Sequence, residues 1–344
     1  MKDNSTDFNE ENIRPAKFDN GHLKAILEDV KMLKSKQSEF VTTSCPACNL
    51  NKFTKQFSKR GFNYVRCHRC ETVFINPRPS QNTLDWFYRE SKNYSFWNTH
   101  IFPATEKSRH ENIIMPRVKK TIELCQKYNV IMNSILEVGA GFGTFCMEIQ
   151  SEGLFKRVIA VEPTPSLAET CRKRGIETIE RPIEKIEFSE KKLFNVIVNF
   201  EVIEHLFSPR DFLTHIFNLL EPEGIVIISC PNYKGFEIET LGVMSDSIDH
   251  EHLNYFNPKS ISMLLDSCGF RVLEVFTPGK LDTDLVRKKI LDGEFDSSKN
   301  YFLYHILVEE WDSLGSRFQK FLADNLLSSN MWAVAQKPRL VVNS

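Results

Sequence analysis

The 344-residue chain has no apolar run approaching the ~20 residues of a membrane-spanning helix. Residues 1–14 are polar and acidic and lack the apolar segment of a secretory signal. Net charge is nearly absent too: 44 Lys and Arg against 45 Asp and Glu leave a formal −1. Proteins that live on nucleic acid usually carry a basic excess, because neutralising phosphates drives their binding. The overall balance therefore argues against a dedicated nucleic-acid binder. No internal repeat or low-complexity tract is visible. With 41% hydrophobic and 26% charged residues, what remains is an ordinary globular chain, expected in the cytoplasm. Nothing in it specifies an oligomeric state.

In that compartment the nine cysteines stay reduced, so paired cysteines read as metal ligands before disulfides. Two Cys-x-x-Cys knuckles, Cys45/Cys48 and Cys67/Cys70, are separated by 18 residues. This is the spacing of a tetrahedral zinc site, and four thiolates close the coordination sphere, which makes the zinc structural. Cys125, Cys146, Cys171, Cys230 and Cys268 lie in apolar stretches and read as small core residues. Between Val41 and Cys70 stand six basic residues and no acidic one. Such a face suits an anionic substrate or simply balances the thiolates.

Four segments follow. Residues 1–40 are polar, with an amphipathic helix whose stripe is Leu23, Ile26, Leu27, Val30 and Leu33, expected to dock on the body. Residues 41–80 are the cysteine unit. Residues 81–130 form a helical connector with candidate helices at 83–90 and 106–128 and aromatic residues between them, Tyr94 and Trp97 among them. From 131 to 340 strands alternate with helices, which implies an α/β fold with a covered, mostly parallel sheet. The helical stretch 281–327 precedes a closing strand at 330–336.

The segment Glu137-Val-Gly139-Ala-Gly141-Phe142-Gly143 follows one of these strands and opens a helix. Glycines there permit a tight turn and close backbone approach to a ligand. Glu162 ends the next strand, 19 residues after Gly143, where an acidic side chain suits ribose hydroxyls. Asp249-His250-Glu251-His252 follows the strand at 224–230, where active sites of open α/β sheets lie. Glu251 beside two histidines supplies a general base and a group to orient it.

The spacing Glu-x-Gly-x-Gly-x-Gly, the segment 194–206 ending in Glu204-His205-Leu206, and Leu220-Glu-Pro-Glu-Gly224 together resemble class I S-adenosylmethionine-dependent methyltransferases. That resemblance covers about 131–340. It implies a Rossmann-like seven-stranded sheet whose last strand is antiparallel, with the zinc ribbon and helical connector in front. It also implies that Glu137, Gly139, Gly141, Phe142, Gly143, Glu162, Pro163, Phe200 and Glu201 hold S-adenosylmethionine. With the ribbon, the segment Val73-Phe-Ile-Asn-Pro77-Arg-Pro and the His-Glu-His loop, the chain is similar to bacterial nucleotide-sugar C-methyltransferases and surface-polysaccharide methyltransferases. By position in that family His252 is the base, assisted by Glu251, with His250 and His205 alongside. The family has a tyrosine where this chain has Asp249. The implied acceptor is a small molecule, a nucleotide-linked or polysaccharide-precursor sugar, methylated on carbon or oxygen. The alternatives are an RNA methyltransferase gripping RNA with its basic ribbon, a dinucleotide oxidoreductase, and a binding module without turnover.

Overall fold

In a computed structural model, residues 8–186 and 193–339 are described; residues 1–7 of the polar segment and residue 340 of the core domain lie outside them. The elements run α1 (Asp19–Ser35), β1 (Phe53–Lys59), β2 (Phe62–Cys67), β3 (Val73–Ile75), α2 (Gln81–Glu90), α3 (Lys92–Phe96), α4 (Phe102–Arg109) and α5 (Met115–Lys127). They continue with β4 (Ser134–Val138), α6 (Thr144–Ser151), β5 (Arg157–Val161), α7 (Pro165–Lys173), β6 (Glu177–Ile179), β7 (Phe194–Phe200), α8 (Pro209–Leu219), β8 (Leu220–Pro231), α9 (Phe236–Leu241), β9 (Asn254–Tyr255), α10 (Pro258–Ser267) and β10 (Arg271–Phe276). The last are α11 (Asp282–Leu291), α12 (Tyr301–Tyr304), α13 (Ser316–Asp324) and β11 (Asn330–Gln336).

The main sheet has seven strands in the order β10-β11-β8-β7-β4-β5-β6. Strands β4 to β8 pair in parallel, and β11 lies antiparallel to both β8 and β10. This is the sheet that the resemblance implied, with Asn330–Gln336 as its antiparallel strand. Every residue of β4 is buried, as befits a central parallel strand covered on both faces. Alternation sorts the side chains: Leu136 and Val138 join one core with Phe212 and Leu213 of α8 and Ile261 of α10. Ile135 joins the other, with Phe145 of α6 and Val118 of α5. Strand order reverses at β4, so a crevice opens beyond its carboxyl end, and the glycine turn stands there.

A second sheet, β1-β2-β3-β9, is antiparallel throughout. Its fourth strand, β9, comes from the His-Glu-His loop and begins two residues after His252. Its core shares Tyr64, Ile75, Phe87, Ile248 and Tyr255 with Val30 and Leu33 of α1. The stripe expected on α1 docks only in part. Leu23 and Leu27 are 47% and 52% exposed, while Asp29, fully buried, takes a place on the docked face. The reason is a hydrogen-bonding role. The Asp29 carboxylate accepts from Lys92 N (2.7 Å), Asn93 N (3.0 Å) and Ser91 Oγ (2.5 Å), capping α3, the start of the helical connector run, from outside it.

That run corrects the connector. Instead of two separate helices with aromatic residues between them, α3, α4 and α5 form one run from 92 to 127, widened by two π turns at Trp97–Ile101 and His110–Ile114. Tyr94, Phe96, Trp97 and Phe102 are therefore helical residues. The stretch expected helical at 281–327 is interrupted between α11 and α12. No helix among the described residues is long and apolar enough to cross a membrane.

Candidate active site

The glycine turn leaves β4 with Gly139 at φ 78° and Gly141 at φ 54°, conformations that a side chain rarely adopts. A Cβ on Gly139 would strike Val202 Cγ2 at 2.5 Å, whereas one on Gly141 meets nothing within 4 Å. Gly141 thus presents bare backbone to open space. Its N–H donates to Glu162 Oε2 at 2.8 Å, and Thr164 N donates to Glu162 Oε1 at 2.9 Å. Two backbone donors aim this carboxylate at the end of β5, while burial pushes its pKa up. Pro163, next in the chain, is exposed on the same wall. Glu137 is buried and accepts from the Cys146 thiol at 3.1 Å; burial pushes its pKa up to about 8. Phe142 packs edge-on against Phe102 of the helical run, which thus closes over the turn.

At the end of β7, Phe200 sits among Phe145, Trp332 and the Arg117 guanidinium, with centroid distances of 5.1, 5.2 and 4.7 Å. Glu201 adopts φ 56° and accepts from Ser229 Oγ at 2.6 Å and Asn330 Nδ2 at 3.1 Å, with Arg117 3.7 Å away. Arg117 is a wall residue that sequence reasoning missed, since an arginine on a helix reads as surface by default.

The histidine loop divides. His252 lies against His205 from the turn after β7, ring centroids 4.7 Å apart. Ligand atoms of His205, His252 and Glu204 lie within 4.8 Å of one another. Glu251 and His250 face the other way, where their ligand atoms cluster with that of Asp29. Glu251 Oε1 accepts from Asn93 Nδ2 at 2.6 Å, and His250 is only 2% exposed, between Phe62 and Phe87. The expectation that Glu251 assists His252 side chain to side chain therefore fails. The carboxylate that stands beside the His252 ring is that of Asp249. Its Oδ1 accepts from the Glu251 and His252 amides at 2.8 and 2.9 Å, and its Oδ2 is 4.0 Å from His252 Nδ1. Burial would raise the Asp249 pKa, but His252, His250 and the His252 amide pull it down to about 2.

Burial, reinforced by His252, lowers the His205 pKa to about 3, so His205 is neutral near pH 7. Burial also holds the Glu204, Tyr88 and Tyr94 groups well above their ordinary values. Tyr94, a candidate lid residue of the connector, and Tyr88, marked in the sequence by nothing beyond its aromatic character, wall the histidine pair on the connector side.

Glu137, Gly141, Glu162, Arg117, Glu201, Tyr88, Tyr94, His205, Asp249 and His252 line one cleft of about 2730 Å³ that runs from Glu162 to His252. Residues 105–275 match the family described as a methyltransferase domain. Over 192 residues the chain is 32% identical to the ubiquinone biosynthesis O-methyltransferase of Rickettsia typhi, covering 52% of this chain and 74% of that protein. The chain belongs to the S-adenosylmethionine-dependent methyltransferases. It is also 27% identical over 172 residues to the C-methyltransferase NovU of Streptomyces niveus, covering 48% of this chain and 39% of that protein. A solved S-adenosylmethionine-dependent methyltransferase from Clostridium acetobutylicum is similar in fold, with TM-score 0.47, 11% identity, and coverage of 72% and 99%.

In this methyltransferase the turn at 139–143 and Glu162 fit S-adenosylmethionine: bare backbone at Gly141 and a carboxylate already oriented by two amides suit a ribose. Glu162→Gln is expected to weaken S-adenosylhomocysteine binding about tenfold, the loss of one charge-assisted hydrogen bond. Titration calorimetry checks this, and unchanged affinity would remove Glu162 from the cofactor site.

The four-cysteine cluster is assembled as the spacing predicts. Cys45 Sγ and Cys70 Sγ are 3.4 Å apart, Cys48 Sγ and Cys67 Sγ 3.5 Å, and all four lie within 4.8 Å of one another. A tetrahedron of Zn–S bonds near 2.3 Å has edges of about 3.8 Å, so the donor set fits zinc. Amides of Ala47 and Cys48 point at the Cys45 sulfur, and that of Leu50 at the Cys48 sulfur.

Proposed function

We propose that this methyltransferase acts on a small-molecule acceptor, a nucleotide-linked or polysaccharide-precursor sugar, at carbon or oxygen, with His252 as the base. One observation carries the reading. His252 Nδ1 lies 2.9 Å from the Ser247 carbonyl oxygen. A carbonyl only accepts, so Nδ1 carries a hydrogen, and in the neutral ring it is Nε2 that keeps the lone pair a base needs. His205 beside it is fixed through Nδ1 at 3.1 Å from the Glu251 carbonyl.

S-adenosylmethionine, when bound, supplies an electrophilic methyl group. The protein's part is to align the acceptor and remove its proton. His252 Nε2 takes the proton from a carbon next to a carbonyl, or from a hydroxyl. The electron pair freed from that C–H or O–H bond would be the nucleophile for the methyl group that S-adenosylmethionine would supply, the pair of the methyl–sulfur bond staying on sulfur as S-adenosylhomocysteine leaves. Tyr88 and Tyr94 exclude water from the histidine pair and stay protonated.

Two further features support a phosphorylated acceptor. The cleft exceeds the roughly 300–1,000 Å³ of a typical single-ligand site. In it Arg109 meets neutral partners: Thr105 Oγ1 and the Ile13 carbonyl at 3.0 Å, and the rings of Trp97 and Phe102. Burial, then Arg14 and Arg117, lower its pKa to about 9, which leaves it cationic near pH 7. The RNA alternative draws less support, because two of the ribbon's basic residues are engaged within the chain: Lys59 Nζ with the Ser245 carbonyl and Arg66 with Glu71. In the four-cysteine cluster we place a structural zinc ion.

The test begins with calorimetric titration of S-adenosylmethionine and S-adenosylhomocysteine into protein of verified zinc content. Nucleotide sugars with a keto group are then incubated in D₂O with the homocysteine form bound, and carbon-bound hydrogen is followed by NMR. Exchange next to the ketone, or methylation of a hydroxyl when S-adenosylmethionine replaces it, is the expected result. A folded, zinc-loaded protein that binds neither cofactor form overturns the reading. Salt-sensitive RNA affinity without sugar turnover favours the RNA alternative.

A further inference from the structure

Arg78, in the Asn-Pro-Arg-Pro segment that leaves the ribbon, is among the largest fully buried side chains, at 1% exposure. A buried guanidinium is costly unless its donors are used. Its Nε donates to the Ile75 carbonyl (3.2 Å), and its Nη1 to the Phe207 carbonyl (3.1 Å) and to Asn254 Oδ1 (3.0 Å). Asn254, in β9 and fully buried, then turns its amide to the segment that carries His205. Its Nδ2 reaches the carbonyls of Leu206 (2.8 Å), Glu204 (3.2 Å) and Ile203 (3.4 Å).

Each carbonyl of residues 203–207 thereby has a side-chain donor. These five residues leave β7 without entering a sheet, so their carbonyls need partners from elsewhere. Asn254 serves three, Arg78 serves Phe207, and the Tyr88 hydroxyl donates to the His205 carbonyl at 3.1 Å. None of these partners belongs to the parallel sheet. Arg78 follows the ribbon, Tyr88 is in α2, and Asn254 stands two residues after His252. The same two side chains therefore grip the turn bearing His205 and the strand that continues from His252.

We propose that Arg78 and Asn254 are positioning residues that fix the separation of the His205 and His252 rings. The inference rests on the reading of that pair as the proton-handling groups, and it makes the ribbon the holder of one half of a two-piece site. Arginine is required because its planar fork serves three diverging acceptors, a geometry that lysine cannot reproduce. The clamp is buried and reaches the chemistry only through the two rings.

The test needs no acceptor. Protein with ¹⁵N-labelled histidine is saturated with S-adenosylhomocysteine, and ring nitrogen signals are recorded for wild type, Asn254→Ala and Arg78→Lys. We expect both variants to keep their zinc and to bind S-adenosylhomocysteine within about threefold of wild type. The His205 and His252 ring signals should shift or broaden in both, while His68, exposed on the ribbon, keeps its signal. Ring signals at wild-type positions in both cofactor-bound variants overturn the proposal. Loss of fold or of zinc in both overturns it as well, since the residues would then be general structural nodes. If only Asn254→Ala fails to fold, Arg78→Lys decides. Failure of the base assignment is separately visible: the wild-type spectrum would show His252 protonated at Nε2, whereas the clamp is judged on the difference between variant and wild type.

Discussion

His252→Ala is expected to lower turnover by about 10²–10⁴-fold, the usual contribution of a positioned general base, and to leave cofactor affinity within about twofold of wild type. The separation of effects follows from the geometry. The proposed cofactor wall is the 139–143 turn and Glu162, beyond β4 and β5. His252 belongs to the loop after β8 and is held by Ser247 and Asp249. Removing its ring leaves the first wall untouched and takes away the proposed base, while His250 stays buried between Phe62 and Phe87. His205 cannot substitute efficiently. Its low pKa, set by burial and then by His252, makes its ring a weak base even after the neighbouring ring is gone. Single-turnover assays with each variant at matched cofactor saturation check the prediction. Wild-type turnover in His252→Ala would transfer the base role to another group, and a parallel collapse of cofactor binding would mean that the loop and the turn are one site.

The parts of this site that were legible in the sequence are those built from short-range pattern. β4, β7 and β8 are buried parallel strands, which read as continuous apolar runs, and the glycines after β4 sit where a strand gives way to a helix. The two knuckles declared themselves by spacing alone. What stayed hidden depends on partners far apart in the chain. β9 has two residues, too few to show alternation, so its pairing with β3 could not be read, nor the resulting union of ribbon and histidine loop. Asp29 breaks the apolar stripe of α1 because it caps a helix more than sixty residues later. The aromatic residues 94–102 fell outside both candidate helices because their spacing suits a widened helix rather than a regular one. Side-chain direction in the histidine loop, and with it the exchange of Asp249 for Glu251 beside His252, needed the fold itself.

Removal of the proposed zinc ion is expected to abolish turnover while sparing the cofactor. Structural zinc contributes about 10–16 kcal/mol in small zinc-finger peptides near pH 7, so chelation, or Cys48→Ser, should unfold the knuckles. The damage then travels along identifiable contacts. The Cys70 carbonyl accepts from Asn257 Nδ2 at 3.0 Å, and Asn257 is the N-cap of α10. The Ala47 carbonyl accepts from Arg210 at 2.9 Å. Between them lies β9, paired with β3 of the ribbon, and two residues before β9 stands His252. Tyr64 of β2 donates to the Asp249 carbonyl at 2.6 Å, a second tether on the same loop. The 139–143 turn has none of these ties; it is held by β4, β5 and Val202. Hydrogen exchange followed by mass spectrometry should therefore show faster exchange over residues 245–256 in the zinc-free protein and unchanged exchange over 134–143. Affinity for S-adenosylhomocysteine should stay within about threefold. A zinc-free protein that keeps its turnover would reduce the ribbon to an appendage. One that loses cofactor affinity to the same degree as turnover would show that the metal supports the whole fold and not the histidine loop in particular.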